Sequence, residues 1–435
     1  MLFRFVLGWI GRLIFLLVGL ILLTWPLFWP PAELRGHWRT EGYGMVLDVG
    51  RLMVTAHQRT AVSCRPVFRG PAHSLVLAEL GDIALNPDAK GGLRVDIDGT
   101  ANPIRATRLD ALPEACAEGG TPRQPTARDV FDIAWHGMAE NYPFFERFGV
   151  DWQARYDQLA PEVETVDDLW PTLTALLEGI DDSHVYLFDP ETGAAVTPAQ
   201  TVPWHEDALD FRAVPRAKNL TRIEDTGLEY TVLDGNIGYV FLRHAATRPG
   251  VGTAQDVKAA SAFSQVADAL RNTRAIILDN RLNPGGADPV ALAYAGFFTD
   301  ARLLAFTKEI RTEDGYTAPV AARTIATDLP LVQPVYLLNS SYTAGAAEVF
   351  AMALKQMPTA TLVGAPTAGA LSDIMEITLP NGWLLGMSHQ VYRDASGAAV
   401  DGVGVQPDVV MPFDAEAFRR GEDPGLETVL EMIGR

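Results

Sequence analysis

Lysine is scarce in this 435-residue sequence: of 35 basic residues, only Lys90, Lys218, Lys258, Lys308 and Lys355 are lysines. Chemistry that needs a lysine base therefore has few candidate positions. The basic residues are outnumbered by 54 Asp and Glu, giving a formal net charge of -19. Nucleic-acid binding needs clustered Lys and Arg to displace counterions, so a nucleic-acid partner is excluded. Cysteine is rarer still. Cys64 and Cys116 are the only two, and they lack the C-x-x-C spacing that thiol redox chemistry or zinc would call for. There is no G-x-x-x-x-G-K-[ST] loop and no G-x-G-x-x-G turn, so nucleotide binding has no support. His136, His205, His244 and His389 are scattered without ligand spacing, and no metal or cofactor is expected. Internal repeats and low-complexity tracts are also missing.

What is present begins with a run that carries no charge. From Leu13 to Ala32 the chain is apolar almost throughout (LIFLLVGLILLTWPLFWP). At a rise of about 1.5 Å per residue such a run covers about 30 Å, the hydrocarbon core of a bilayer. Arg4 and Arg12 precede it, which predicts a cytoplasmic N-terminus and a periplasmic or extracytoplasmic bulk. Trp25 and Trp29 suit the membrane interface, and Pro26, Pro30 and Pro31 its exit. No A-x-A site follows the run, which favours a retained single-pass anchor, residues 1–35, over a cleaved signal peptide.

Residues 36–122 alternate apolar and polar side chains in short segments (GYGMVLDVG, RLMVTAHQ, SLVLAEL, LRVDIDG) separated by Gly, Asn and Asp. This pattern predicts a small all-β domain, an antiparallel barrel or sandwich. In an oxidising compartment Cys64 and Cys116 are expected to form one disulfide; two buried thiols is the other reading. His57 and His73 are isolated and read as packing or surface residues. GGTPRQPTARD (119–129) has the composition of a linker. Residues 123–190 then switch to a helical period. Val130, Ile133, Ala134 and Met138 form one apolar stripe; Leu169, Leu173, Leu176 and Leu177 form a second over 167–180. That helix ends in an acidic turn, DDSHVYL (181–187).

Residues 191–435 alternate buried strands with helices from about 235 onward: IGYVFL, AIILDN and VYLLNS each precede a helical stretch. The class is α/β, a layered core. Strand ends are where such cores put their sites, and three loops follow buried strands. RLNPGG (281–286) offers Gly285 and Gly286, whose N–H groups are unobstructed and suit an oxyanion hole; a tight turn before a helix is the plainer reading. NSSYTAGAAE (339–348) turns a strand into a helix N-terminus, which favours developing negative charge. VDGVGVQPD (400–408) is Gly-rich and carries Asp401, which a turn of this kind also uses for its own hydrogen bonds.

RLNPGG, TAGAAE, VGAPTAG, LPNGW and DGVGVQPD, in this order over residues 126–412, resemble the tail-specific (C-terminal processing) serine protease family. Within it the chain is similar to the branch of the tricorn protease core and the interphotoreceptor retinoid-binding protein. The resemblance implies a crotonase-like, ClpP-type peptidase core with a helical cap segment, and a polypeptide substrate or peptide ligand. It implies a catalytic His184 with Ser183 beside it, and Asp401 where that branch has a glutamate organising the site. Oxyanion donors would be Gly285 or Gly286 and the N–H of Ala346. The nucleophile position, in a motif that usually reads S-A-x-E, is Gly345. The family's other branch uses a Ser-Lys dyad, and its lysine position here is Ala370, so that mechanism is excluded.

With serine at 345, His184 would take the hydroxyl proton while Asp401 oriented the imidazole. Without it, the expected protein is a membrane-anchored, outward-facing, peptide-binding relative whose catalysis is impaired. An active serine-type endopeptidase using a displaced hydroxyl, Thr343 or Ser341, is the first alternative. A shift of about 1 Å can cost about a hundredfold in rate, which weighs against it. A non-enzymatic envelope scaffold or ligand-binding protein is the second.

Overall fold

The structure, a computed structural model, describes residues 30–72, 83–117, 124–199, 217–247 and 255–434 apart from Lys90, Asp98 and Lys218. Residues 13–29 of the expected anchor, the SLVLAEL run, His73 and His205 lie outside them. Among the described residues no helix is long and apolar enough to cross a membrane.

The N-terminal β domain consists of β1 (Gly36–Thr40), β2 (Met45–Val49), β3 (Met53–Thr60), β4 (Ser63–Pro71), β5 (Ile83–Pro87), β6 (Leu93–Ile97) and β7 (Ile104–Leu109). They pair as one antiparallel sheet in the order β4-β3-β2-β1-β7-β6-β5. Alternation puts Trp38, Val49, Val54, Leu93 and Val95 on one buried face, as a period of two requires. Cys64 on edge strand β4 is disulfide-bonded to Cys116, with Cα atoms 4.7 Å apart. The bond ties that edge to the chain's exit from the domain.

Three helices follow: α1 (Ala127–Asn141), α2 (Trp152–Leu159) and α3 (Val166–Leu177). Thr126 and Asp129 form a capping box at the start of α1, and Thr165 and Asp168 one at the start of α3, which satisfies N–H groups that a helix start leaves open. Both apolar stripes are buried. They pack on a four-stranded sheet made of β8 (Tyr186–Phe188) and β9 (Ala195–Val196) with two later strands, β19 (Ile374–Thr378) and β20 (Leu384–Ser388).

The core sheet runs β10 (Thr221–Arg222), β11 (Thr226–Leu233), β12 (Ile237–Thr247), β13 (Ala275–Asp279), β17 (Val335–Asn339), β18 (Ala360–Gly364), β22 (Val409–Val410). From β12 to β22 all pairs are parallel. Side chains from alternate positions go to opposite faces. Val240, Leu278, Leu337 and Leu362 pack under α4 (Gln255–Leu270), α5 (Asp288–Gly296) and α6 (Ala346–Leu354). Tyr239, Ile277, Leu338 and Val363 pack against Leu426 and Val429 of the last helix, Pro424–Gly434. A smaller sheet of β14 (Leu304–Thr312), β15 (Gly315–Tyr316), β16 (Val320–Arg323) and β21 (Gln390–Asp394) flanks α6.

The β domain is docked on this body. The Gln58 side chain bonds the backbone of β19 twice, to Glu376 O and from Thr378 N, each at 3.1 Å. At the C-terminal end of β13, Arg281 is buried between Asp279 (2.7 Å) and Asp423 (2.6 Å), and these carboxylates hold the guanidinium charged despite burial. Removing one partner of a buried ion pair costs about 3–5 kcal/mol because the other charge stays buried. Arg281→Ala is therefore expected to lower the urea unfolding midpoint by that equivalent, whereas Arg420→Ala, at an exposed pair with Glu422, leaves it essentially unchanged.

Candidate active site

The turn between β17 and α6 commits the hydroxyls of Ser340 and Thr343 to hydrogen bonds inside the fold. The Ser340 hydroxyl donates to Arg281 O. Thr343 is fully buried, donates its hydroxyl to Asn280 O at 2.9 Å, and accepts from Ser340 N–H at 3.1 Å. This overturns Thr343 as a displaced nucleophile, because its proton is committed to a carbonyl inside the fold. Ser341 is exposed on the outer bend of the turn, and no hydrogen bond ties its hydroxyl to the histidine.

Gly345 is the N-cap of α6, with φ 56° and ψ -128°, a region that favours glycine. Its N–H donates to Ala370 O at 2.9 Å and to Glu348 Oε2 at 3.1 Å. A Cβ here would meet nothing nearer than Gly285 Cα at 3.6 Å. The elbow has room for a side chain and carries none.

Glu348, the acidic residue of the TAGAAE motif, joins the loops. Its buried carboxyl also accepts from the Thr367 hydroxyl (2.5 Å), Gly369 N–H (2.7 Å) and Ala370 N–H (2.9 Å). Burial pushes its pKa up to about 7, against the pull of these four donors.

On the other side of the elbow lies the NPGG loop. Ala344 N–H donates to Asn283 O at 3.0 Å, and a relay of amides runs from Asn339 through Asn280 to Asn283. Asn283 Oδ1 takes the Gly285 N–H at 3.0 Å, which removes Gly285 as an oxyanion donor. The N–H groups of Gly286 and Ala346 have no protein acceptor among the described residues.

His184 is buried in the turn before β8. Burial pushes its pKa down, although Asp182 and Asp373 pull it up. Its Nδ1 lies 3.2 Å from Ser388 Oγ, and Ser388 Oγ is in turn 3.2 Å from Asp182 Oδ1. Asp182 also accepts from His184 N–H at 2.9 Å and from Tyr142 Oη at 3.0 Å. Neither Ser388 nor Asp182 is a candidate in the sequence reading. The available signal was Ser388, His389 and Gln390, three polar residues in a row that are all buried at a strand end.

Asp401 does not orient the imidazole. Its Oδ2 accepts the Tyr392 N–H at 2.7 Å, and its carbonyl accepts from Arg147 at 2.6 Å. Burial, then the nearby Glu348 and Asp182, push its pKa up to about 8, while the Tyr392 N–H and Arg147 oppose the rise. Arg147 lies beside the rings of Phe144 and Phe148. Phe144, Arg147, Phe148, Asp182, Ser183, Ala370, Ser388 and Asp401 line one cleft of about 230 Å³. The 368–371 turn is shared, since it walls this cleft and receives the Gly345 N–H. Lys308, distant in sequence, is buried against Asp373 at 3.2 Å. Burial opposes its charge, but Asp373 and Asp288 raise its pKa. Among the described residues no three His, Cys, Asp or Glu side chains form a metal-binding group.

The turns after β13, β17 and β18 meet at one end of the parallel core sheet, which is where α/β folds place their sites, and His184 comes from the turn before β8 of the four-stranded antiparallel sheet. Comparison with known proteins narrows the class. Residues 236–411 match the model of Peptidase family S41, and over that part the chain is similar to tail-specific (C-terminal processing) peptidases. It is 27% identical over 206 residues to a carboxy-terminal-processing protease of Bartonella bacilliformis, a match covering 47% of this chain and 45% of that protein. It is 31% identical over 168 residues to the chloroplastic carboxyl-terminal-processing peptidase 2 of Arabidopsis thaliana, covering 37% and 32%. The chain spans less than half the length of these curated relatives. The fold is similar to a crystal structure from Parabacteroides merdae ATCC 43184 described as a peptidase candidate, with TM-score 0.60 and 22% identity over 71% of this chain and 97% of that one.

Glu348 and Asp401 both have folded pKa values raised above the usual carboxylate range. Such groups contribute stability that is complete below pH 4 and lost as pH rises through about 7 for Glu348 and about 8 for Asp401. Asp401→Asn is therefore expected to flatten the fall in urea-unfolding stability between pH 4 and 8, with the wild type losing on the order of a few kcal/mol more across that range.

Proposed function

We propose that this protein is a membrane-anchored, outward-facing tail-specific peptidase relative that binds polypeptide in the Arg147–Asp401 cleft and does not hydrolyse it through residue 345. The observation that carries this reading is the elbow itself. It has an oxyanion pair and space for a Cβ, but its side chain is a hydrogen atom. Removing the nucleophile from a Ser-His unit costs about 10⁶-fold in turnover and leaves about 10³–10⁴ over water, which is no useful protease. The family's polypeptide chemistry and the Phe144–Arg147–Phe148 lining support a peptide ligand, with the guanidinium suited to a carboxylate. The membrane assignment rests on the apolar run at 13–32 and the arginines before it; the bulk of the full chain is expected to remain in the membrane fraction after carbonate extraction.

Ser388 favours one second reading. Its hydroxyl lies 3.2 Å from His184 Nδ1, which makes it a candidate nucleophile for a surviving serine hydrolase. A fluorophosphonate probe separates the two. Wild type is expected to remain unlabelled and Gly345→Ser to be labelled at 345, with hydrolysis of an unfolded protein substrate appearing alongside. Wild-type turnover that disappears in His184→Ala would overturn the proposal, and a probe adduct on Ser388 would replace it with the second reading.

A further inference from the structure

We propose that one end of the N-terminal β domain is a membrane-contacting surface. Its β2–β3 turn seats Leu52 and Met53 in the lipid interface beside the point where the chain enters the domain, and the domain stands as a strut between bilayer and peptidase body. The inference rests on residues 13–32 being a retained anchor, and its test separates failure of that reading from its own.

The strand registers fix which turns share an end. Gly36 at the start of β1 lies opposite Val49 at the end of β2, Val49 lies opposite Val54, and Met53 opposite Pro71. The turn at 50–52 is therefore at the end where the chain arrives from residue 35. Packing agrees: Leu34 shares the domain core with Val49, Val54 and Ala72, and Ala72 N–H donates to Leu52 O at 2.8 Å. The uncharged run ends at Ala32 and β1 begins at Gly36. The residues between them reach about 10 Å at most, so this end of the sheet is held close to the exit of the anchor.

The surface there is apolar. Leu52 is 55% and Met53 38% exposed, and Pro31, Ala32 and Pro71 are exposed beside them. A Cβ on Gly70 would meet the Phe68 ring at 2.5 Å, so that half-exposed ring lies over Gly70 towards the same end. The exposed charges are mixed, Arg51 and Arg69 with Glu33 and Asp110, which makes apolar insertion the contact and not attraction to anionic lipid. Such a tip is small, but the anchor makes its insertion intramolecular, and a weak contact is then held. The opposite end of the domain is occupied by the body. Tyr43 of the 41–44 turn meets Gln390 at 3.1 Å, and Ala61 N–H donates to Glu140 Oε1 of α1 at 2.7 Å. Ala101 of the β6–β7 turn packs against the core of the body. The eight residues of β3 join the two ends and span about 25 Å at the rise of a strand.

The test uses the full chain in phosphatidylcholine vesicles, with an environment-sensitive fluorophore on one introduced cysteine. Cys64 and Cys116 are tied in the disulfide, so Leu52→Cys, Met53→Cys and Val62→Cys each take a single label. Val62 is 50% exposed, close to Leu52, but lies in the turn at the body end. Nitroxide-bearing lipid is expected to quench the labels at 52 and 53 by about twofold or more, and to leave the label at 62 within about a tenth of its starting emission. A chain that floats with the vesicles while 52 and 53 stay unquenched, or while 62 is quenched as strongly as they are, overturns the inference and leaves the anchor standing. A label at 52 that is shielded from water but untouched by nitroxide lipid assigns the surface to a second copy or another protein, and overturns it as well. A chain that does not float with the vesicles overturns the anchor reading and the inference with it.

Discussion

The carboxyl of Glu348 is the point on which the site depends. It stands at the third position of α6 and reaches back to the N–H of Gly345, as a capping-box glutamate does. It also reaches forward to Thr367, Gly369 and Ala370. One side chain thus fixes the strand-to-helix turn and the TAG turn relative to each other. Burying a carboxyl is costly unless its lone pairs are used, and four donors use them here. Burial still moves its pKa to about 7, so the knot is held by a group that is near its titration point at neutral pH. Asp401 lies close enough for the two acids to repel, and Arg147 is the cation beside Asp401.

Much of the architecture was legible in the sequence because it obeys a period. The stripe Val130, Ile133, Ala134, Met138 is buried as a helical period requires, and Leu337 and Leu338 separate to opposite faces of the sheet as a period of two requires. The elbow was legible through its motif, and so was the glycine in it. The partners of His184 were not. Ser388 reaches it across 204 residues and Arg147 reaches Asp401 across 254. Neither pairing leaves a trace in local spacing. Asp182 sat in the acidic turn beside the histidine, but its role shows only when β20 brings Ser388 between them. Thr343 misled for the opposite reason: nearness in sequence to the nucleophile position gave it weight, and only packing reveals that its hydroxyl closes a turn.

The N-terminal β domain bears on the same region. The β1–β2 turn carries Tyr43 at φ 63°; its hydroxyl accepts from Gln390 Nε2 at 3.1 Å, and its ring meets His389 edge-on at 4.6 Å. Gln390 and His389 directly follow Ser388. Gln58 holds β19, the strand paired with β20. The domain that seemed chemically silent in the sequence is therefore part of the support for the strand end that holds Ser388 against His184.

What the glycine changes can now be separated from what it leaves alone. A non-glycine residue at φ 56° and ψ -128° would be held in a sparsely populated conformation at a cost of about 1–3 kcal/mol. That shape persists here without a nucleophile to justify it, because it is imposed by bonds to the backbone: Gly345 N–H to Ala370 O and Glu348, Ala344 N–H to Asn283 O. None of these involves the side chain at 345. A glycine there leaves these backbone bonds in place, and the His184–Ser388–Asp182 hydrogen bonds and the cleft lining have their own supports. Binding and bond cleavage are thus separable in this fold, and a chain that keeps the first without the second is physically consistent.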